Sequence, residues 1–146
     1  MIRYQGTIEA PIPKERFYEI ISNPQKVIGF LPDVVESRVS DQDHFAVKAK
    51  VGAGPLKGTI DFDFETSEKQ PGAHLSLKGR GQGMQSMVKL TLRMSFEDKQ
   101  GGSKAGWVAE AELGGLLASV GGRLIDGIAA KYMKQITENI RFEVSK

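Results

Sequence analysis

The chain has 146 residues, 40% hydrophobic and 26% charged, and its 20 Lys and Arg against 18 Asp and Glu leave a formal net charge of +2. That length fits a single domain spanning 1–146 and burying roughly two-thirds of its unfolded surface, and that charge is too small to argue for nucleic acid. The absence of cysteine excludes a disulfide scaffold, thiol catalysis and cysteine-held zinc or iron–sulfur clusters, and fits a reducing cytoplasm.

The opening stretch, MIRYQGTIEA, lacks the apolar core of a signal peptide. Nowhere does a run approach the roughly 20 apolar residues of a membrane span. Residues 2–8 alternate apolar and polar, the period of a half-buried strand. Pro11 and Pro13 stop it, and Pro13 can open a helix over 14–22 in which Phe17, Ile20 and Ile21 repeat at helical spacing. Asn23-Pro24 breaks that helix and starts a second short one, ended by Pro32-Asp33. Six strand-like runs follow, over 34–40, 44–51, 56–67, 73–82, 84–97 and 104–113, each set off by a turn signal as in an antiparallel meander. Ile60, Phe62 and Phe64 oppose Asp61, Asp63 and Glu65, so one face of the sheet is dry and the other wet. From 115 to about 143 the period becomes helical, with Leu117, Val120, Leu124, Ile128, Tyr132, Ile136 and Ile140 on one stripe. One uninterrupted helix of that length extends about 43 Å and would cover the dry face.

Successive turns of a meander fall at opposite ends of the sheet. Every second connection, around Asp41, Lys69 and Lys99, is charged. The intervening ones are glycine-rich and apolar, and carry Phe30, Leu31, Leu56, Met84 and Leu116. Those five residues form the rim of a ligand mouth or partner surface, or else fold inward and plug the core. Parity also turns Gly79, Gly81, Ala109 and Ala111 inward, beneath the long helix. Small residues there either permit close approach in a curved sheet or leave a cavity for an apolar ligand.

No motif in the chain carries recognisable catalytic or metal chemistry. Gly79-Arg80-Gly81-Gln82-Gly83 has glycine spacing similar to a nucleotide loop but no helix N-terminus after it. His44 and His74 each follow a polar turn without a second ligand at metal spacing. Asp61, Asp63 and Glu65 face outward near Lys48 and Lys50, as a solvated cross-strand charge pattern. There is no G-x-S-x-G, H-E-x-x-H or Ser/His/Asp arrangement, and no cofactor or metal is expected.

The order of elements resembles the α+β helix-grip fold of the START-like (SRPBCC) superfamily: a seven-stranded curved antiparallel sheet, two short helices and a long C-terminal helix. More narrowly, the chain resembles the G-subunit family of aerobic, molybdenum-type carbon monoxide dehydrogenase. The likeness rests on Ala10-Pro11, Asn23-Pro24, Phe30-Leu31-Pro32 and VKAKVGAGPLKG at 47–58, then GRGQG at 79–83 and ELGGLLASVGGRLIDG at 112–127.

This resemblance implies a non-catalytic accessory protein with a hydrophobic cavity, linking a molybdenum hydroxylase complex to the membrane or quinone pool. A cytoplasmic location is expected, with transient contact at the inner face of the membrane. Since the chain reaches only to Lys146, permanent anchoring is not expected. A bound quinone or lipid would be held by Leu77, Leu90, Leu92, Trp107, Leu117, Val120, Leu124 and Ile128. Two other readings stay open: a cyclase- or hydrolase-type enzyme using Tyr4, Tyr18 or Tyr132 beside a carboxylate, and a docking module without ligand.

Overall fold

Residues 2–53 and 56–146 are described by the computed structural model, so Gly54 and Pro55 of the turn read at 52–56 lie outside the described residues. The chain runs β1 (Ile2–Ala10), α1 (Lys14–Ser22), α2 (Pro24–Phe30), β2 (Val34–Asp41), β3 (His44–Ala53), β4 (Leu56–Gln70), β5 (His74–Gly83), β6 (Ser86–Lys99), β7 (Gly102–Gly115), α3 (Leu116–Ser119) and α4 (Gly122–Val144). The seven strands form one antiparallel sheet in the order β1-β7-β6-β5-β4-β3-β2, which leaves β1 and β2 as its edges.

Local chemistry explains the breaks. Pro13 sits just before α1 in an extended conformation, and its carbonyl accepts the Phe17 N–H at 3.0 Å. Asn23 ends α1 and caps α2, its side chain accepting the Gln25 N–H at 3.0 Å while Pro24 fills the first helical turn. The single long helix read from 115 to 143 is interrupted. Gly121 stands at φ 94°, outside the range of a right-handed helix, and separates α3 from α4.

Two apolar clusters fill the space between sheet and helices. The larger gathers Ile8, Phe17, Tyr18, Ile20, Phe30, Phe96, Ile140 and Val144 at the end bearing the charged turns. There α1 packs on β6 and β7, and Phe96 meets Phe17 and Tyr18 edge to face, with centroids 5.4 and 5.6 Å apart. The smaller cluster, Ile60, Val88 and Leu117, closes the glycine-rich end.

The inward glycines leave no room for a Cβ. A Cβ on Gly79 would stand 2.6 Å from Phe64, and one on Gly81 would stand 2.7 Å from Phe62 and 2.9 Å from Ile60. An edge of each ring lies against its glycine, and Phe45, Phe64 and Phe62 stack in a row with centroids 5.0 and 5.7 Å apart. Gly81→Ala should therefore overpack the sheet and cost about 1–3 kcal/mol. Gly106→Ala, where nothing lies within 4 Å of the new methyl, should change stability by less than about 0.5 kcal/mol. Urea unfolding of the two variants checks the contrast, and equal losses would refute the close fit.

Candidate functional site

Between the two clusters lie two adjoining cavities, of about 300 Å³ and about 260 Å³. They share Leu31, Phe64, Leu90, Ala109, Met133 and Ile136 as a common wall, so they form two lobes of one apolar space under α4. Its size follows from β7. Ala109 lies opposite Leu92 and Tyr4, and Ala111 opposite Leu90 and Ile2, with only a methyl to project toward the helix. The alanines border the space; two strands away Gly79 borders it too, beside the Phe64 ring, while Gly81 is covered by Phe62.

Leu90 and Leu31 border both lobes. Leu77, Leu92, Trp107 and Phe30 border the lobe nearer the larger cluster, and Leu117 and Ile128 the other. Val120 and Leu124 border neither, a correction to the stripe read through them. Within α4, Ile128, Tyr132 and Ile136 of that stripe do face the space, joined by Ile125, Ala129 and Met133. The rim assigned to the apolar loops is corrected too. Phe30 is buried, Leu56 and Met84 pack on the smaller cluster, and only Leu116 is exposed. Met84 folds over Gly58, where a Cβ would meet its Cγ at 2.5 Å. It acts as a plug.

Several lining residues escape a reading of the sequence. Parity turns Phe64 and Val88 inward without setting them apart from the packed core, while Ile125 and Met133 require the register of a helix that restarts at Gly122.

Polar groups lie at the border of the space. The Tyr4 hydroxyl on β1 donates to Asp126 of α4 at 2.6 Å, and the Tyr132 hydroxyl donates to the Lys50 carbonyl of β3 at 3.2 Å. The helix is thus tied to both flanks of the sheet. Burial, and then the Asp126 carboxylate, push the Tyr4 phenol up to about 12. A phenol so weakly acidic is a poor proton donor near neutrality, which counts against the tyrosine–carboxylate enzyme reading. Trp107 lies over Gly6, where a Cβ would be 2.8 Å from the ring, and its buried Nε1 has no partner.

The histidines stay out of the interior. His44 contacts Asp41 at 2.8 Å and Glu65 at 3.5 Å on the exposed charged turn, and the Asp41 hydrogen bond raises its pKa. His74 contacts Ser95 at 3.2 Å. Among the described residues no group of three or more His, Cys, Asp or Glu could hold a metal ion, and no helix is long and apolar enough to cross a membrane.

A family model for the carbon monoxide dehydrogenase G-subunit (CoxG) matches residues 6–145. No curated protein matches the chain. Among solved structures, a conserved protein from Geobacillus kaustophilus superposes with a TM-score of 0.87 at 19% identity, covering 98% of this chain and 95% of that one. A START superfamily protein from Mycobacterium smegmatis gives 0.69 at 13% identity, with coverages of 97% and 96%. Ara h 8.0201 gives 0.69 at 14%, with coverages of 98% and 97%. At those identities the structures establish the fold, the helix-grip arrangement expected from the order of elements.

The Tyr4–Asp126 contact predicts a pH dependence. The folded chain holds the phenolic proton above the ordinary 10.0 of an unfolded tyrosine. The stability this group contributes should be fully present below pH 10.0, and be lost as pH rises from there toward about 12. Spectrophotometric titration should find a phenol ionising near 12 that moves down in Asp126→Asn. Tyr4→Phe should remove its part of the alkaline slope, and an unchanged titration in Asp126→Asn would refute the contact.

Proposed function

The chain belongs to the G-subunit (CoxG) family of carbon monoxide dehydrogenase, and from that premise we propose that it is a non-catalytic accessory protein carrying an apolar molecule beside an oxidoreductase of that type. The observation that supports this reading is the two-lobed apolar space under α4, of about 300 Å³ and about 260 Å³. Each lobe is near the lower end of the size range of small-molecule sites. An empty space of this kind forgoes dispersion contacts along its whole lining, so a ligand that fills it recovers them.

The ligand class is a quinone or a lipid with a slender apolar body. Such a molecule is sparingly soluble and needs a protein shell to move between a membrane and an enzyme. A single transient contact with the membrane would suffice for loading. No charged side chain is needed to hold it, and no bond is made or broken.

The one tryptophan of the chain, Trp107, borders the space and reports on it. Titration with a short-tailed benzoquinone and, separately, with a medium-chain fatty acid should quench or shift its fluorescence saturably. Ala109→Leu fills the wall shared by both lobes and should weaken binding at least about tenfold, while far-UV circular dichroism stays unchanged. Ligand at about 100 times its dissociation constant should add about 2.7 kcal/mol of stability. Failure of both probes, with no apolar molecule in solvent extracts of freshly purified protein, would refute the proposal.

A further inference from the structure

The two edges of the sheet are built differently. At β2 the pairing with β3 shifts register between Val34 and Glu36 and again between Val39 and Asp41, so irregularities bracket the strand. Such bulges discourage pairing with another chain. By contrast, β1 pairs with β7 without a shift along all nine residues, Ile2–Ala10. It contains no proline or bulge.

The free side of β1 can be deduced from its neighbour. The Ala10 carbonyl lies against Gly102 of β7, where a Cβ would otherwise stand. Backbone groups alternate along an antiparallel strand, so even-numbered residues turn theirs to β7 and Arg3, Gln5, Thr7 and Glu9 turn theirs outward. No other backbone hydrogen bond reaches these four among the described residues, and their side chains are exposed.

We propose that β1 is an interface between two copies of this chain, paired antiparallel about a two-fold axis through Gly6. The strand is complementary to itself in that register. Arg3 faces the partner's Glu9, Gln5 faces the partner's Thr7, and both pairs recur across the axis. On the inner face, Tyr4 falls opposite the partner's Ile8. All four outward-bonding residues meet outward-bonding residues, so each outward N–H finds a carbonyl. At the axis Gly6 meets Gly6 in the closer, non-hydrogen-bonded type of pair.

The charges in one chain fit this partner. Arg3 lies opposite Glu110 in the β1–β7 register, but Arg93 binds that carboxylate at 3.0 Å. Arg3 has no carboxylate within 4.0 Å among the described residues. Glu9 contacts Lys99 at 2.9 Å through one oxygen and has a second available to the partner's Arg3. The Tyr4–Asp126 bond sits above the concave face, leaving the outward backbone of β1 in the plane of the sheet.

Sedimentation equilibrium and light scattering on the full chain test this directly. The wild type should dimerise at micromolar concentrations. Arg3→Glu should weaken the dimer at least about tenfold by setting two carboxylates opposite each other at both ends. Adding Glu9→Arg in the same chain should restore at least half of the lost free energy. Thr7→Pro removes an outward N–H, at a position where an edge strand tolerates proline, and should give a folded monomer. A wild type that stays monomeric at about 100-fold higher concentration overturns the proposal. So does a dimer indifferent to both Arg3→Glu and Thr7→Pro, or a charge reversal that is not rescued by its complement.

Discussion

Phe62 and Phe64 lie across Gly81 and Gly79, at distances where a Cβ on either glycine would stand 2.7 or 2.6 Å from a ring carbon. This contact joins β4 to β5 at the middle of the concave face. Aromatic rings laid over backbone give the sheet a dense floor on that side and allow it to curve. Further along, the middle of β7 offers the helix only Ala109 and Ala111, between Trp107 and Leu113. The same helix spans both regions, so it covers a floor that is full at one side and recessed at the other. The cavity is the difference. In a core packed near crystal density, such a void is a large departure and costs stability unless something fills it.

Much of this is legible from residue order. Alternation places all seven strands within a few residues, because a sheet with one wet face has to alternate. Turn parity separates a charged end from an apolar one, and both exist as read. What escapes depends on contacts between distant residues. Gly81 and Ala109 look equivalent by parity, yet Gly81 is covered by a ring from β4 and Ala109 borders open space. That distinction belongs to Phe62, which no local window around Gly81 contains. The helical stripe holds at Leu117, Ile128, Tyr132, Ile136 and Ile140, and misses at Val120 and Leu124, the two residues flanking the break at Gly121.

The apolar loops show how one composition can serve the other purpose. A glycine-rich end bearing leucine and methionine is suited on paper to receive a ligand. Instead, Met84 occupies the notch left by Gly58, and Leu56 packs on Ile60, Val88 and Leu117. Met84 and Gln85 hold φ near 57° and 54°, a conformation that costs non-glycine residues free energy. Met84 is half-buried, its side chain packed over Gly58. At the end of the sheet farthest from α1, Leu56 and Met84 pack inward rather than standing out as a rim.

The C-terminal part of α4 is held strongly: Ile140 and Val144 sit in the larger cluster, Asn139 donates to the Phe30 carbonyl at 2.9 Å, and Glu143 meets Lys26 at 3.3 Å. Its N-terminal part begins at Gly122 without a side-chain cap, includes Gly127, and buries only Ile128. Each omission weakens a helix, by roughly 1 kcal/mol for an absent cap or an interior glycine. Two tyrosine hydroxyls, on Tyr4 and on Tyr132, hold that part to opposite flanks of the sheet. The half of α4 that roofs the cavity is therefore the half with the least packing of its own. Local opening costs least where buried apolar contacts are fewest, so the stability of this protein is distributed with its weakest element over its emptiest space.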